Sequence, residues 1–415
     1  MRRFISSSIS SLPCKLAVAA LVGGAIAAHA SNAAHAASLT LKEAVEAAWS
    51  RQPEARALHA RRDEAAARRD AASSLFPGAP SIGLSQRTDR FNQNRGERET
   101  EAEIAVPLWM PGTRSAARRL AEAETGQLDA GTLASRLKIA GEVREAYWQA
   151  RFAQNDRDLA LRKLREASLL LEDVERRFNA GDLARADFNQ ARVAERLAQA
   201  LKAEAEMRVL RSQKLFAALT GLSQLPEAGE PLPDARQLPA IHPLLAISNT
   251  AVDVGQARLA QASAERRDPP ELAVGFVRER AAAGDAYDNS VRLAVRIPLS
   301  TQSRNAPRIT AANAELIEAE ASLLLERERI QAEAETARAE FEQAKAVQAL
   351  AEERYRLASD TQELYAKAFR LGELDLPTRL RSENDRYEAE QALTRAQLEA
   401  GRAISRLNQA LGLIP

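Results

Sequence analysis

Cysteine is almost missing from this chain. The only one in 415 residues is Cys14, so no internal disulfide can form. Histidine is nearly as scarce, with four in all, and neither they nor the three methionines are spaced as metal ligands. No glycine-rich phosphate loop is present, and the carboxylates fall on helical patterns where pairing with arginine is their ordinary use. The sequence therefore points away from an enzyme, and no cofactor or metal site is expected. Aromatics make up only 4% of residues against 28% charged, with Ala, Glu, Arg and Leu dominant. That mixture builds long helices packed through narrow seams and suits a wide globular core poorly. Beyond residue 30 no apolar run reaches the length of a membrane-spanning helix, so a membrane role would need strands. Net charge is +1, and without the first 30 residues it is near −2, which excludes nucleic acid as the natural partner.

What is present begins with a secretory pattern. Arg2, Arg3 and Lys15 precede the apolar run 16–28, and Ala28-His29-Ala30 or Ala34-His35-Ala36 offers small residues for cleavage. Residues 1–30 read as a signal peptide, with cleavage at 36 as the other choice, and export from the cytoplasm follows. Cys14 precedes the apolar run and would leave with the signal, so no lipid anchor is expected.

The rest of the chain is written twice. Phe178-Asn-Ala-Gly181-Asp-Leu183 returns 191 residues later as Phe369-Arg-Leu-Gly372-Glu-Leu374. Pro107-Leu108 and Gly221-Leu222 recur at the same offset as Pro298-Leu299 and Gly412-Leu413, and Pro53 and Pro80 recur at 190 as Pro243 and Pro270. Such ordered self-similarity is the signature of an internal repeat. The first copy spans 39–222 and the second 243–415. Residues 223–242 hold four prolines and read as an extended linker.

Within the first copy, Thr40 and Glu43 form a capping-box pair at the head of a helical pattern that Pro53 kinks or restarts. Phe76-Pro-Gly-Ala-Pro80 stops it, and a β-hairpin over 80–108 follows. A long helix over 113–178 comes next, with Leu164, Leu171 and Phe178 on one seam and Ala160, Ala167 and Val174 on the other. Glu172 can pair with Arg176, and Asp173 with Arg177. A tip at 179–187 reverses the chain, its glycine suiting the left-handed position that ends a helix. The return helix to 221 is half as long, so the leading and return helices stacked end to end would match the long one. The second copy repeats this with a hairpin at 271–299, a long helix at 304–369, a tip at 370–376 and a return helix to 412.

The hairpins alternate apolar and polar residues. Leu272, Val274 and Phe276 share a face, as do Val291, Leu293, Val295 and Ile297, while Glu101, Glu103, Arg292 and Arg296 oppose the apolar positions. Two environments fit: lipid on one side and a wet lumen on the other, or a soluble hairpin half-covered by helix, which the strands alone favour. Four strands cannot close a membrane barrel, whose minimum is roughly eight, and an open edge cannot stand in hydrocarbon. In a membrane, several chains would have to share one barrel.

These parts together resemble the TolC-like outer-membrane efflux factors. The resemblance rests on the tips at Gly181 and Gly372, the strand ends at Pro107 and Pro298, the opening Leu39-Thr-Leu-Lys-Glu-Ala44, and the closing runs that start at Ala218 and Ala410. It implies a mainly α chain with a small β part. Its long helical hairpins would form a periplasmic tunnel, and its four strands would join a shared trimeric twelve-stranded outer-membrane barrel. It further implies a homotrimer that conducts substrate passively and docks through its tips onto a periplasmic adaptor of an inner-membrane pump, of the resistance-nodulation-division type. Gly181, Asp182 and Leu183, with Gly372, Glu373 and Leu374, would be the docking knobs. Asp187, Asp375, Thr378 and Arg381 would lie at the constriction, and Glu101, Glu103, Arg292 and Arg296 in the barrel lumen. The second tip is similar to the heavy-metal branch, which implies metal-cation cargo. Relatives place carboxylates where this chain has Thr378 and Arg381, a departure for which Asp375 or Glu383 could substitute. Multidrug efflux and polypeptide secretion use the same architecture, and a soluble periplasmic coiled-coil scaffold shares the signal and helical hairpins.

Overall fold

The computed structural model describes residues 39–415 apart from 235, 237, 300 and 301. The signal expected over residues 1–30, with Cys14, lies outside the described residues. The fold begins with α1 (Leu41–Arg51), capped as its sequence demands. Thr40 Oγ1 accepts the Glu43 N–H at 3.2 Å, and Glu43 Oε2 accepts the Thr40 N–H at 2.9 Å. Gln52 is extended and α2 (Pro53–Ser73) restarts at the proline, which needs no N–H partner there. Strands β1 (Ser81–Thr88) and β2 (Arg98–Pro107) form the first hairpin, followed by α3 (Thr113–Ala180) and α4 (Arg185–Thr220). The second copy supplies α5 (Pro243–Ala264), β3 (Glu271–Arg280), β4 (Asp288–Arg296), α6 (Gln302–Arg370) and α7 (Leu376–Ala410). Every expected element is present, with the ends shifted by a few residues.

At 68 residues, α3 is ~100 Å long at ~1.5 Å per residue. Around it the helices form a layer four across. Towards the tips the order is α4, α3, α7, α6, and towards the sheet it is α2, α3, α5, α6. The short helices do stack along the long ones, but α5 packs against both α3 and α6 and so fastens the two copies together. The expected seam is observed: Ala160 and Val174 are buried, and Leu164, Leu171 and Phe178 are half-buried. The ion pairs differ in one respect. Asp173 receives both Arg177, at 3.4 Å, and Arg176, at 3.2 Å, while the Arg176 side chain also reaches the Glu172 carbonyl rather than its carboxylate.

Where the two stacks meet, α1, α3 and α4 enclose the main core. Val45, Trp49, Val143, Tyr147, Trp148 and Phe216 make its bulk. Tyr147 and Trp148 meet edge-on at 5.1 Å, and the Trp148 N–H donates to Ser405 Oγ on α7 at 3.0 Å. The linker is tied down across this level. Buried Arg144 donates to both oxygens of Glu230, at 2.8 and 2.6 Å, and to the Leu413 carbonyl at 2.9 Å.

The two hairpins join into one antiparallel sheet of order β1-β2-β3-β4, in which β2 of the first copy pairs with β3 of the second. No helix packs against this sheet among the described residues. The strands alone favoured a soluble hairpin half-covered by helix, and that expectation is not met, because both faces are bare of helix. Neither long helix packs over the sheet among the described residues.

Candidate functional site

The sheet sorts its side chains by face. Register places Ser81, Glu103, Gly275 and Arg292 on one side, and Ile82, Ile104, Val274 and Leu293 on the other. The polar face carries six carboxylates and three guanidiniums, and the apolar face carries no acid at all. All four expected lumen residues lie on the polar face. Arg292 reaches Glu101 at 2.6 Å and Glu99 at 3.4 Å, and Arg296 reaches Glu271 at 3.3 Å. Glu103 makes no ion pair among the described residues. It lies across a floor of two glycines, and a Cβ on Gly83 would sit 2.8 Å from the Glu103 Cγ.

The opposite face is apolar and open. Ile82 and Leu84 on β1 and Val291 and Leu293 on β4 are 75%, 80%, 76% and 70% exposed at the two edges of the wall, and Ile104, Val274 and Phe276 lie exposed between them. An apolar patch of this continuity is not a stable water surface. The outermost strands β1 and β4 also have no partner on their outer sides, so the wall ends in two rows of free backbone groups.

At the far end of the helices, the two tips are built alike. Gly181 and Gly372 have φ of +87° and +79°, and each closes a paired set of end bonds: Asp182 N–H to Arg177 O with Gly181 N–H to Phe178 O, and Glu373 N–H to Ala368 O with Gly372 N–H to Phe369 O. Asp182 and Glu373 are exposed beside them, whereas Leu183 and Leu374 turn partly inward onto a cluster of Leu170, Val174, Phe369 and Leu376 that binds the two hairpins together. Phe369 is stacked between the guanidiniums of Arg177, at 5.0 Å, and Arg379, at 4.9 Å.

The expected constriction residues begin the return helices, and two already have structural tasks. The Asp187 carboxylate accepts the Ala184 N–H at 3.2 Å, and Asp375 accepts the Thr378 N–H at 3.1 Å; hydrogen bonding from the Thr378 hydroxyl, then from its N–H, holds the Asp375 carboxyl below its usual range. Thr378 is half-buried and Arg381 exposed. Glu383 is enclosed between helices and paired to Arg379 at 3.1 Å, and burial pushes its carboxyl up. It faces a partner in its own chain, so it does not stand in for an exposed gate carboxylate. Asp375 remains exposed while capping α7.

The edges of the helical layer carry residues that sequence reading passed over. On α6, Leu350, Leu357 and Leu364 recur at spacing seven, with Leu371 continuing the spacing just past the helix end, and all are exposed, as are Val193, Leu197 and Met207 on α4 at the other edge. The heptad on α6 was visible in the sequence; that no helix of the same chain covers it was not. Among the described residues there is no metal-ligand cluster and no helix long and apolar enough to cross a membrane.

Comparison with known proteins follows the same lines. The family model for outer membrane efflux proteins matches residues 44–222, the first copy. Solved structures match along most of the chain. The outer membrane protein VceC from Vibrio cholerae has a TM-score of 0.74 at 17% identity, covering 90% of this chain and 96% of its own. The outer membrane channel CmeC from Campylobacter jejuni has 0.71 at 15%, covering 90% and 85%. CusC, described as forming a transmembrane channel, has 0.73 at 15%, covering 90% and 92%. No curated protein matches the chain. The resemblance to the TolC-like outer-membrane efflux factors thus holds in fold along the chain and in sequence over its first copy.

Proposed function

We propose that three copies of this chain pool their sheets into one twelve-stranded barrel in the outer membrane and their helical layers into a periplasmic tunnel, forming the passive exit duct of a tripartite efflux system. The observation that carries this reading is the bare, face-sorted sheet with two open edges. Its apolar face suits lipid, its charged face suits water, and its free edges can be satisfied only by further strands. The helical layer has the same incompleteness. Its exposed leucine stripe on α6 and its exposed apolar residues on α4 sit at opposite margins, so head-to-tail contacts between copies would close a ring. A soluble scaffold would leave both apolar surfaces in water.

In this duct the tips at Gly181-Asp182-Leu183 and Gly372-Glu373-Leu374 dock onto a periplasmic adaptor, itself engaged with an inner-membrane pump of the resistance-nodulation-division type. Asp187, Asp375, Thr378 and Arg381 lie near the narrow end of the tunnel, and Glu101, Glu103, Arg292 and Arg296 face the barrel lumen. No catalytic step is involved. Substrate moves down its gradient once the pump has delivered it. Heavy-metal cations are the proposed cargo, supported by the similarity of the second tip to the metal branch and by the two-to-one excess of acids over bases on the wet face.

Purified full-length protein added to planar bilayers tests the duct, and resistance of a deletion strain to metals against drugs tests the cargo. Discrete channel steps and a metal-sensitive strain are expected. A protein that stays soluble without detergent and never conducts would contradict the duct, and a strain sensitive to drugs alone would contradict the cargo.

A further inference from the structure

One charged patch on the sheet takes no part in conduction as proposed. At the loop end, the apolar face gives way to three arginines: Arg98 on β2 and Arg278 and Arg280 on β3. None forms an ion pair with a carboxylate among the described residues. Their neighbours across the strands on this face are Thr88, Thr100 and Asn289, all uncharged. Arg98 stands directly opposite Arg280, and like charges at such a position repel. The acids of the sheet lie on the other face, so no carboxylate among the described residues pairs with either; Arg280 donates instead to the Gly96 carbonyl at 3.0 Å.

The patch borders the apolar band without a gap. On β3, Leu272, Val274 and Phe276 precede Arg278 at successive same-face positions, each step being ~7 Å along the strand. Aromatic groups mark the same level. The Tyr287 ring lies under Arg278 at 4.4 Å and under Arg280 at 5.2 Å, and Phe91 in the neighbouring loop is 95% exposed. An apolar band bordered by a level where aromatic rings and guanidiniums lie together matches the passage from acyl chains to the interface and head groups of a leaflet. Planar guanidiniums also match phosphate oxygens in geometry as well as in charge.

We propose that Arg98, Arg278 and Arg280, framed by Tyr287, form a binding site on the outside of the barrel for the phosphate groups of a phosphorylated glycolipid in the outer leaflet. The site rests on the outer-membrane reading given above and adds to it a specific lipid partner. A bound phosphate bridging Arg98 and Arg280 replaces their mutual repulsion with two charge-assisted hydrogen bonds and holds the barrel at a fixed depth.

The test uses the full chain reconstituted into three kinds of vesicle: phosphatidylcholine with a phosphorylated glycolipid, phosphatidylcholine with the same glycolipid dephosphorylated, and phosphatidylcholine alone with inorganic phosphate in solution. Lipid retained after re-extraction is counted by mass spectrometry. The wild type is expected to keep the phosphorylated glycolipid, and the triple variant Arg98→Gln, Arg278→Gln, Arg280→Gln to lose retention on the order of a hundredfold, at ~1 kcal/mol per basic residue. The triple lysine variant, which keeps the charge, recovers part of it, and Glu101→Gln on the opposite face changes nothing. Equal retention by wild type and glutamine variant overturns the proposal. So does equal retention of the dephosphorylated lipid, or full displacement by inorganic phosphate, which would make the ligand a free anion. Failure to insert into any vesicle would overturn the barrel reading itself and is distinct from loss of lipid selectivity.

Discussion

Arg144 is the residue on which the middle of the molecule turns. It occupies the buried stripe of α3 that also holds Leu137, Ala140 and Tyr147, and it is 4% exposed against 8% for its partner Glu230. Its other bonds go to Gln409 on α7 and to the Leu413 carbonyl, so one guanidinium ties linker, long helix and chain end together. Arg144→Ala strands a buried carboxylate, and the expected loss is about 3–5 kcal/mol, read as a drop in the urea midpoint of the detergent-solubilised protein. Replacing both partners, as Arg144→Leu with Glu230→Leu, is expected to restore most of that midpoint. A single variant as stable as the parent would show that the pair is not closed in solution. Sequence reading passed over Arg144, whose partner lies in a proline-rich stretch with no periodicity to read. The tip glycines were legible because a left-handed helix end requires a residue without Cβ, and their φ of +87° and +79° bears this out. The burial of Glu383 was not, although its partner Arg379 lies four residues away on the same helix, because burial depends on how α7 packs against its neighbours.

Among the elements, α7 shows how closely the copies are fitted. Gly401 faces the ring of Trp148, and an added Cβ would come within 2.4 Å of its Cη2. The indole cannot easily yield, since its N–H is held by Ser405 and Gly229 also lies close to its Cζ2 and Cη2. Gly401→Ala is therefore expected to destabilise by about 1–3 kcal/mol despite the better helix propensity of alanine. Gly126→Ala in α3, where the nearest atom to the new methyl is 4.0 Å away, serves as the control and is expected to gain roughly 0.5–1 kcal/mol. Thermal unfolding of the two variants checks both signs, and a stabilised Gly401→Ala protein would contradict the packing. Helix lengths, strand positions and reversals were all readable from period and punctuation. The double contact of α5 with α3 and α6 was not, since a short helix of near-uniform apolarity does not reveal how many neighbours it serves.

Over residues 39–415 both the sheet and the helical layer end in open margins among the described residues. The sheet has order β1-β2-β3-β4 with two free edges, and the helical layer runs from α4 and α2 at one margin to α6 at the other. Duplication made this legible in outline, because a repeat with one hairpin per copy yields four strands, too few for a membrane barrel. That both faces are bare of helix required the fold, since alternation alone favoured a covering helix. The account stands or falls on whether β4 of one copy adjoins β1 of the next. Within a single chain these strands are three spacings apart, roughly 14 Å. In a protein with Cys14 replaced by serine, cysteines at Leu84 on β1 and Leu293 on β4, treated with a short thiol cross-linker in the membrane, read out that contact as a ladder. The account predicts dimer and then trimer, with nothing larger and with each single-cysteine parent remaining monomeric. A chain that stays monomeric, or that builds open ladders beyond three, would contradict it.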